Sequence, residues 1–359
     1  ALGKRRLDFT DEELCAYGDY CINDVELTHQ LFNIMASGVI TGQRFPPDEL
    51  TLIDLTLRMF TEPTLGLDEA LLRSHLEDVK ARKSTLEETR TQRFIDIAER
   101  GTLPVPVRYY AAHTGRWGGD DKINLQNLPS RGANGKKLKR GIIAPEGHTL
   151  IDCDSSQIEA RVLAWLAGQD DLTTAFANGD DVYKHMASSI YGVPSEEVTP
   201  NQRFVGKTTI LGAGYGMGAV KFQTQLAGMG VEMDLDEARR IIKIYRQTNG
   251  AINQLWADAS NMMHRMAVGE TVQFGLDGVL EVDAARCAIT LPSGLPMFYT
   301  ELSAYKTEVD WSGTEYRYKT RKGLVKLYGG KVVENVCQAV ARCIIGHQMI
   351  LIAKRYKVV

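Results

Sequence analysis

Thr149-Leu150-Ile151-Asp152-Cys153-Asp154-Ser155-Ser156-Gln157-Ile158-Glu159-Ala160-Arg161 is the stretch on which the fold turns. Its first six residues predict a short strand, and the apolar spacing from Gln157 to Ala167 predicts a helix. Side chains alternate along a strand, so Asp152 and Asp154 fall on one face, with Asp154 where the chain turns into the helix. A carboxylate presented at a strand end is a common oxygen ligand for Mg²⁺. Asp and Ser at such a junction also cap free N–H groups, and spacing alone does not separate the two uses.

Upstream, residues 108 to 140 lack periodicity and are rich in Gly, Asn and cations, among them Lys136, Lys137, Lys139 and Arg140. Residues 49 to 100 read as two or three amphipathic helices ended by Pro104 and Pro106, and Asp11 to Met35 as a helix cut off by Pro46-Pro47. Downstream, Val182 to Gln247 is helical in pattern. Residues 270 to 300 alternate like strands around the turn Leu291-Pro292-Ser293-Gly294, and Val332 to Lys354 is a closing helix.

The chain has 359 residues, 44% hydrophobic and 24% charged, which excludes disordered and fibrous classes and suggests two or three folding units. Its 42 Lys and Arg against 45 Asp and Glu give a net charge of −3, so nucleic-acid binding would need a local basic surface. The six cysteines form no CxxC pair, which reads as reduced thiols in an intracellular protein without a zinc site. No uninterrupted apolar run approaches the ~18 residues of a membrane span. Residue 1 is Ala and the sequence stops in the β-favouring run Tyr356-Lys357-Val358-Val359, so it reads as a fragment.

Arg203, Lys207, Leu211 and Tyr215 recur every four residues. On one helix they would form a slowly drifting stripe, two cations followed by an apolar and an aromatic group, which can hold a nucleoside triphosphate. An amphipathic helix with a basic edge has the same pattern. Gly206-Lys207-Thr208 is not a P-loop, because Asn201 stands where the first Gly belongs. Gly214 to Ala219 fits GxGxxA but follows a helix rather than a strand, so a dinucleotide fingerprint fails as well.

Taken together, these segments resemble the family A (DNA polymerase I-like) DNA polymerases. Asp152 to Arg161, DCDSSQIEAR, is similar to motif A, and Arg203 to Gly216, RFVGKTTILGAGYG, to motif B. His113 to Gly132, HTGRWGGDDKINLQNLPSRG, resembles the family's primer–template segment. Leu327 to Arg342, LYGGKVVENVCQAVAR, resembles the phage-type helix before motif C. Tyr20-Cys21-Ile22-Asn23-Asp24 fits the Tyr-x-x-x-Asp motif of an attached 3′–5′ exonuclease, with Tyr20 and Asp24 as its remnant.

The resemblance implies an α+β right-hand polymerase fold, with an antiparallel palm sheet and helical fingers and thumb. Residues 1–45 would be the end of the exonuclease domain, 46–107 thumb, 108–167 palm with motif A, 168–300 fingers with motif B, and 301–359 palm again. It implies template-directed transfer of dNTPs to a primer 3′-OH, with two Mg²⁺ ions held by Asp154. Arg203 and Lys207 would clamp the triphosphate, Lys207 donating a proton to the leaving pyrophosphate. Gln157, Tyr183, Leu211 and Tyr215 would line the same dNTP site, and Glu159 would reject a ribose 2′-OH. Arg116, Asn124, Gln126, Asn127, Arg131 and Gln338 would contact DNA, with Arg116, Asn127 and Gln338 on minor-groove acceptors that every correct pair presents.

The sequence departs from the family at three points. Leu211 stands where an aromatic is usual, the His-Asp strand of motif C is not found, and neither are the first two exonuclease motifs. The expected partners are primer–template DNA, dNTP and a processivity or replisome protein, with no membrane, in the cytoplasm of a bacterium or phage-infected cell. The alternative function is a catalytically incomplete fragment that binds primer–template and needs a further C-terminal segment. Glu159 and the exonuclease motif disfavour an RNA polymerase of the same superfamily.

Overall fold

The computed structural model describes residues 10–38, 42–81, 85–120, 124–128, 132–306 and 314–359. They divide into two compact units, Ala1–Thr51 and Leu52–Val359. The first carries α1 (Asp11–Ser37), whose residues Ile22, Val25, Leu31 and Phe32 are exposed. In sequence α2 (Pro47–Thr61) spans the division.

The second unit continues with β1 (Gly66–Leu67), α3 (Glu69–Ala81), α4 (Thr85–Ala98), β2 (Val107–Arg108), β3 (Gly118–Gly119), α5 (Gly132–Arg140) and β4 (Ile142–Ile143). Next come α6 (Ile158–Ala167), α7 (Asp170–Asn178), α8 (Val182–Tyr191), α9 (Pro200–Ala213), α10 (Ala219–Ala227), α11 (Leu235–Thr248) and α12 (Gly250–Ala267). Strands β5 (Val272–Phe274), β6 (Leu280–Asp283), β7 (Ala288–Thr290) and β8 (Pro296–Phe298) form one meander. Strands β9 (Ser303–Lys306), β10 (Thr314–Thr320) and β11 (Gly323–Leu327) form a second, before α13 (Gly329–Ala353). Every pairing is antiparallel, including β1 with β4 and β2 with β3, so the chain is α+β as expected.

Three apolar cores order these elements, and α6 joins two of them. Val162, Leu163 and Leu166 pack with α12, α13 and the β5–β8 meander. Ala160 and Ala164, on the other side of the same helix, pack among α7 to α11. Each fully buried Leu or Val is worth roughly 1.5–3 kcal/mol, so α6 is held firmly between the two. A third core gathers Met59, Leu72, Leu76, Phe94, Ile95 and Leu138 from α2 to α5.

Close helix crossings set the site's geometry. A Cβ on Gly206 of α9 would run into the Tyr183 carbonyl of α8, so only Gly lets these two helices approach as they do. A Cβ on Gly330 would lie 2.5 Å from the Tyr215 carbonyl oxygen, which seats the start of α13 against the turn that follows α9.

Several expectations need correction. Residues 149–154 form no strand, because no described strand lies alongside to take their backbone hydrogen bonds; Leu150 and Ile151 are 41% and 69% exposed. Residues 132–140, read as irregular, form α5, in which only Leu138 among the side chains described is buried. Strands β9 to β11 extend the β region beyond residue 300. By length and composition α13 is apolar enough to cross a membrane, yet its first half is core, with Val332, Val336, Cys337 and Val340 buried. The described cysteines, Cys15, Cys153, Cys287, Cys337 and Cys343, are free.

Candidate active site

Asp154 is exposed and has no side-chain partner among the described residues. It does not cap α6: the N-cap is Gln157, which makes no side-chain cap bond and sits at φ 57°, ψ 29°. That left-handed conformation is uncommon outside Gly and marks a sharp turn into the helix. The turn is tied down from both sides. Ser155 Oγ donates to Gln348 Oε1 of α13 at 3.0 Å, and Arg161 donates to the carbonyls of Ser156 (3.0 Å) and Phe176 (3.2 Å). Asp152 is engaged elsewhere, its Oδ2 accepting from Lys139 Nζ of α5 at 2.6 Å.

One turn into α6, Glu159 meets Arg116 with Nη1 3.3 Å from Oε1. Arg116 sits at the end of the hairpin joining β2 to β3, where the N–H groups of Ala111 and Ala112 both donate to its carbonyl. Gly115, at φ 77°, makes the tight turn possible, and a Cβ there would lie 2.7 Å from the Tyr110 ring. The hairpin is also bound to α13, through Thr114 Oγ1 to Gln338 Oε1 at 3.4 Å.

Two cations of α9 share one aromatic floor. A capping box of Thr199 and Gln202, with Pro200 in the first turn, starts α9 and fixes the position of Arg203. Arg203 Cζ lies 5.3 Å and Lys207 Nζ 5.8 Å from the centroid of the buried Tyr183 ring. Arg203 Nε also donates to Asp181 Oδ2 at 2.6 Å, while Oδ1 of the same carboxylate accepts from the N–H groups of Tyr183 and Lys184 and caps α8. Burial works against ionising Asp181, but the Arg203 guanidinium and the two backbone donors outweigh it and hold the carboxyl below its usual value. Two cations over one ring, a turn apart, make a compact positive surface suited to phosphate oxygens.

Tyr215 departs from the stripe. Helix α9 ends at Ala213, and Tyr215 lies in the following turn, which closes at Gly216 with φ 77°. Its ring packs against the core of α12 and α13, and burial pushes its hydroxyl pKa far up. Leu211 is 42% exposed. Gln338 is half-buried and also donates to Glu334 Oε1 at 3.5 Å. Asn124 and Gln126 are exposed at the single 3-10 turn Leu125–Asn127. The side chain of Asn127, the whole of Arg131 and the side chain of Tyr20 lie outside the described residues, and Asp24 is exposed on α1.

Sequence reasoning missed two residues. Asp181 lies just before α8 in the chain, and only the approach of α9 gives it Arg203. Arg342 ends a quoted motif, yet it is 4% exposed and ringed by aromatics from the hairpin.

No group of three or more His, Cys, Asp or Glu side chains converges among the described residues. Asp154 can supply one carboxylate to a divalent ion shared with substrate phosphates. Two ions held ~3.5–4 Å apart need more carboxylate than that, and Asp152 is taken by Lys139. The residues present therefore fit one edge of such a centre and not a resident pair.

Residues 75–274 match the family model described as DNA polymerase family A, more than half of the chain. The chain belongs to that family. Family A enzymes work with divalent metal ions. Thermostable DNA polymerase I of Thermus aquaticus is 39% identical over 148 residues, 41% of this chain and 17% of that protein. DNA polymerase I of Pseudomonas aeruginosa is 38% identical over 151 residues, 42% of this chain and 16% of that one. The matched part thus spans about a sixth of these family A relatives. The POL domain of Pol1 from M. smegmatis, solved in complex with DNA primer-template and dNTP, shares the fold. Its TM-score is 0.52 at 21% identity, covering 80% of this chain and 45% of that one.

Proposed function

We propose that this chain is the polymerase portion of a template-directed DNA polymerase, adding dNTPs to a primer 3′-OH. The observation that carries the reading is the pair Arg203 and Lys207 on α9 above Tyr183, in a chain whose family is settled. Arg203 and Lys207 hold the triphosphate, and Lys207, which has no carboxylate partner among the described residues, protonates the departing pyrophosphate. Gln157, Tyr183 and Leu211 line the nucleotide site, Glu159 stands against a 2′-OH, and Tyr215 lies beside the templating base. Arg116, Asn124, Gln126, Asn127, Arg131 and Gln338 contact the duplex. Asp154 is the metal-facing carboxylate and Mg²⁺ the ion.

The domain division also belongs to this reading: exonuclease remnant to residue 45, thumb to 107, palm to 167, fingers to 300 and palm beyond. The setting is the cytoplasm of a bacterium or phage-infected cell, with a processivity protein as a further partner. A second reading, a primer–template binder that needs additional carboxylates to catalyse, is favoured by the pairing of Asp152 with Lys139. Mg²⁺-dependent primer extension by the purified chain, run beside duplex binding, tests both. Extension supports the first reading, binding without extension the second, and neither activity refutes both.

A further inference from the structure

The hairpin from Val107 to Gly119 is clasped by residues far away in sequence, and one of them is a buried cation. Arg342 is 4% exposed and is one of the buried residues of α13. Its Nε donates to the Gly115 carbonyl at 3.1 Å. Its guanidinium carbon lies 4.6 Å from the Trp117 ring, 5.2 Å from Tyr109 and 5.7 Å from Tyr110. Burying a guanidinium is expensive unless its charge is compensated, and three ring faces with a carbonyl at the turn supply that compensation. Trp117 is in turn fixed from its far side, Nε1 donating to Thr56 Oγ1 of α2 at 2.9 Å.

All of these contacts surround one exposed residue. Arg116 lies between Gly115 and Trp117, the two hairpin residues that Arg342 grips most closely, and its own side chain is 56% exposed as it reaches Glu159. A surface ion pair at 3.3 Å is worth too little to hold a hairpin in place. Its geometry must come from beneath.

We infer that Arg342 is a positioning residue for Arg116: its guanidinium, stacked among Tyr109, Tyr110 and Trp117 and bonded to the Gly115 carbonyl, sets where Arg116 meets the end of the primer–template duplex. This rests on the DNA-contact role proposed above for Arg116. A lysine at 342 would keep the charge but lose both the planar stacking and the directed Nε bond, so the exchange is not conservative here.

The test uses the 359-residue chain with Arg342→Lys, and with Tyr109→Leu as a milder variant that removes one ring. Arg116 is itself a trypsin site. Cleavage after Arg116, followed by mass spectrometry, is expected to accelerate at least tenfold in Arg342→Lys and less in Tyr109→Leu, with cleavage at Lys221 and Arg239 of α10 and α11 unchanged. General destabilisation would accelerate all three sites together and overturn the proposal, as would an unchanged rate at Arg116. Fluorescence anisotropy with paired and mismatched primer termini gives the second readout. Arg342→Lys should lose most of the wild-type preference for the paired end and add less than twofold to the loss in Arg116→Ala; multiplying effects in the double variant would overturn the coupling. A wild-type chain that binds no duplex would remove the DNA-contact role itself, while the tryptic ratio still decides the clamp.

Discussion

Arg203 and Asp181 are joined at 2.6 Å, and the same carboxylate caps the helix that carries Tyr183. One acid therefore holds the first cation of α9 in place and fixes the start of α8. The pair is partly exposed, so its worth is modest, but its pH dependence has a definite sign. Asp181 has a carboxyl pKa below the usual ~3.9, so it adds stability above that value and loses it as pH falls through the lower folded value. Asp181→Asn keeps a cap without the charge. In urea titrations, wild type should exceed the variant at about pH 6, and the gap should narrow as pH falls below the usual carboxyl value and close below the lowered folded one. A gap that persists unchanged into acid would mean that the pair is not what Asp181 contributes.

The two cations should fail differently. Arg203→Ala should mainly raise KM for dNTP, through lost ground-state phosphate contacts, and Lys207→Ala should mainly lower kcat. Single-turnover kinetics in which neither parameter moves tenfold for either variant would remove the triphosphate assignment.

Gly206 tests the packing beneath them. Gly206→Ala places a methyl against the Tyr183 carbonyl, which is backbone and cannot swing away. The expected loss is about 1–3 kcal/mol in denaturant unfolding, with α8 and α9 pushed apart. Stability equal to wild type would show that the crossing is looser than described.

Much of this was readable along the chain, and what was not has a common cause. Helix α6, the helical run from Val182 to Gln247 and the β5–β8 meander rest on local spacing and turn residues, and local signals survive in a sequence. Residues 149–154 alternate correctly for a strand, yet a strand exists only against a partner edge, and alternation says nothing about that edge. The Tyr215 position follows the fourfold spacing, but α9 ends at Ala213 with Gly214 as its C-cap, before Tyr215 is reached. Helix α5, GANGKKLKR, has almost no apolar periodicity to read. Arg342 looks like a surface cation because the carbonyl that receives it lies 227 residues upstream.

Glu159 should set sugar choice, and the structure adds a second consequence. Glu159→Ala should raise ribonucleotide use relative to deoxyribonucleotide use, and it should also release Arg116 from its carboxylate. Glu159→Gln keeps the bulk and removes only the charge. Competition assays should therefore show relaxed sugar selection in the Ala variant alone, with altered duplex affinity in both. An unchanged sugar ratio in Glu159→Ala would return the residue to an ordinary surface carboxylate paired with Arg116.

Asp154 and Asp152 give the last and most decisive comparison. Asp154 is open to solvent, whereas Asp152 is held by Lys139 at 2.6 Å. If Asp154 is the metal-facing carboxylate, Asp154→Ala should cost several orders of magnitude in incorporation wherever extension is seen, with duplex affinity nearly intact. Duplex binding itself should be salt-sensitive and nearly independent of sequence, because phosphate contacts dominate such affinity. Duplex binding with poor extension by the chain alone would favour the second reading, one free carboxylate leaving the charge of two ions under-compensated. Lys139→Ala would free Asp152, and both side chains are exposed, so the exchange should not unfold the protein. Robust extension by the unaltered chain would show that it already holds enough carboxylate. Loss of that extension in Asp152→Ala would then identify the second ligand. Extension gained only in Lys139→Ala would mean that the ion pair had been withholding Asp152 from the metal.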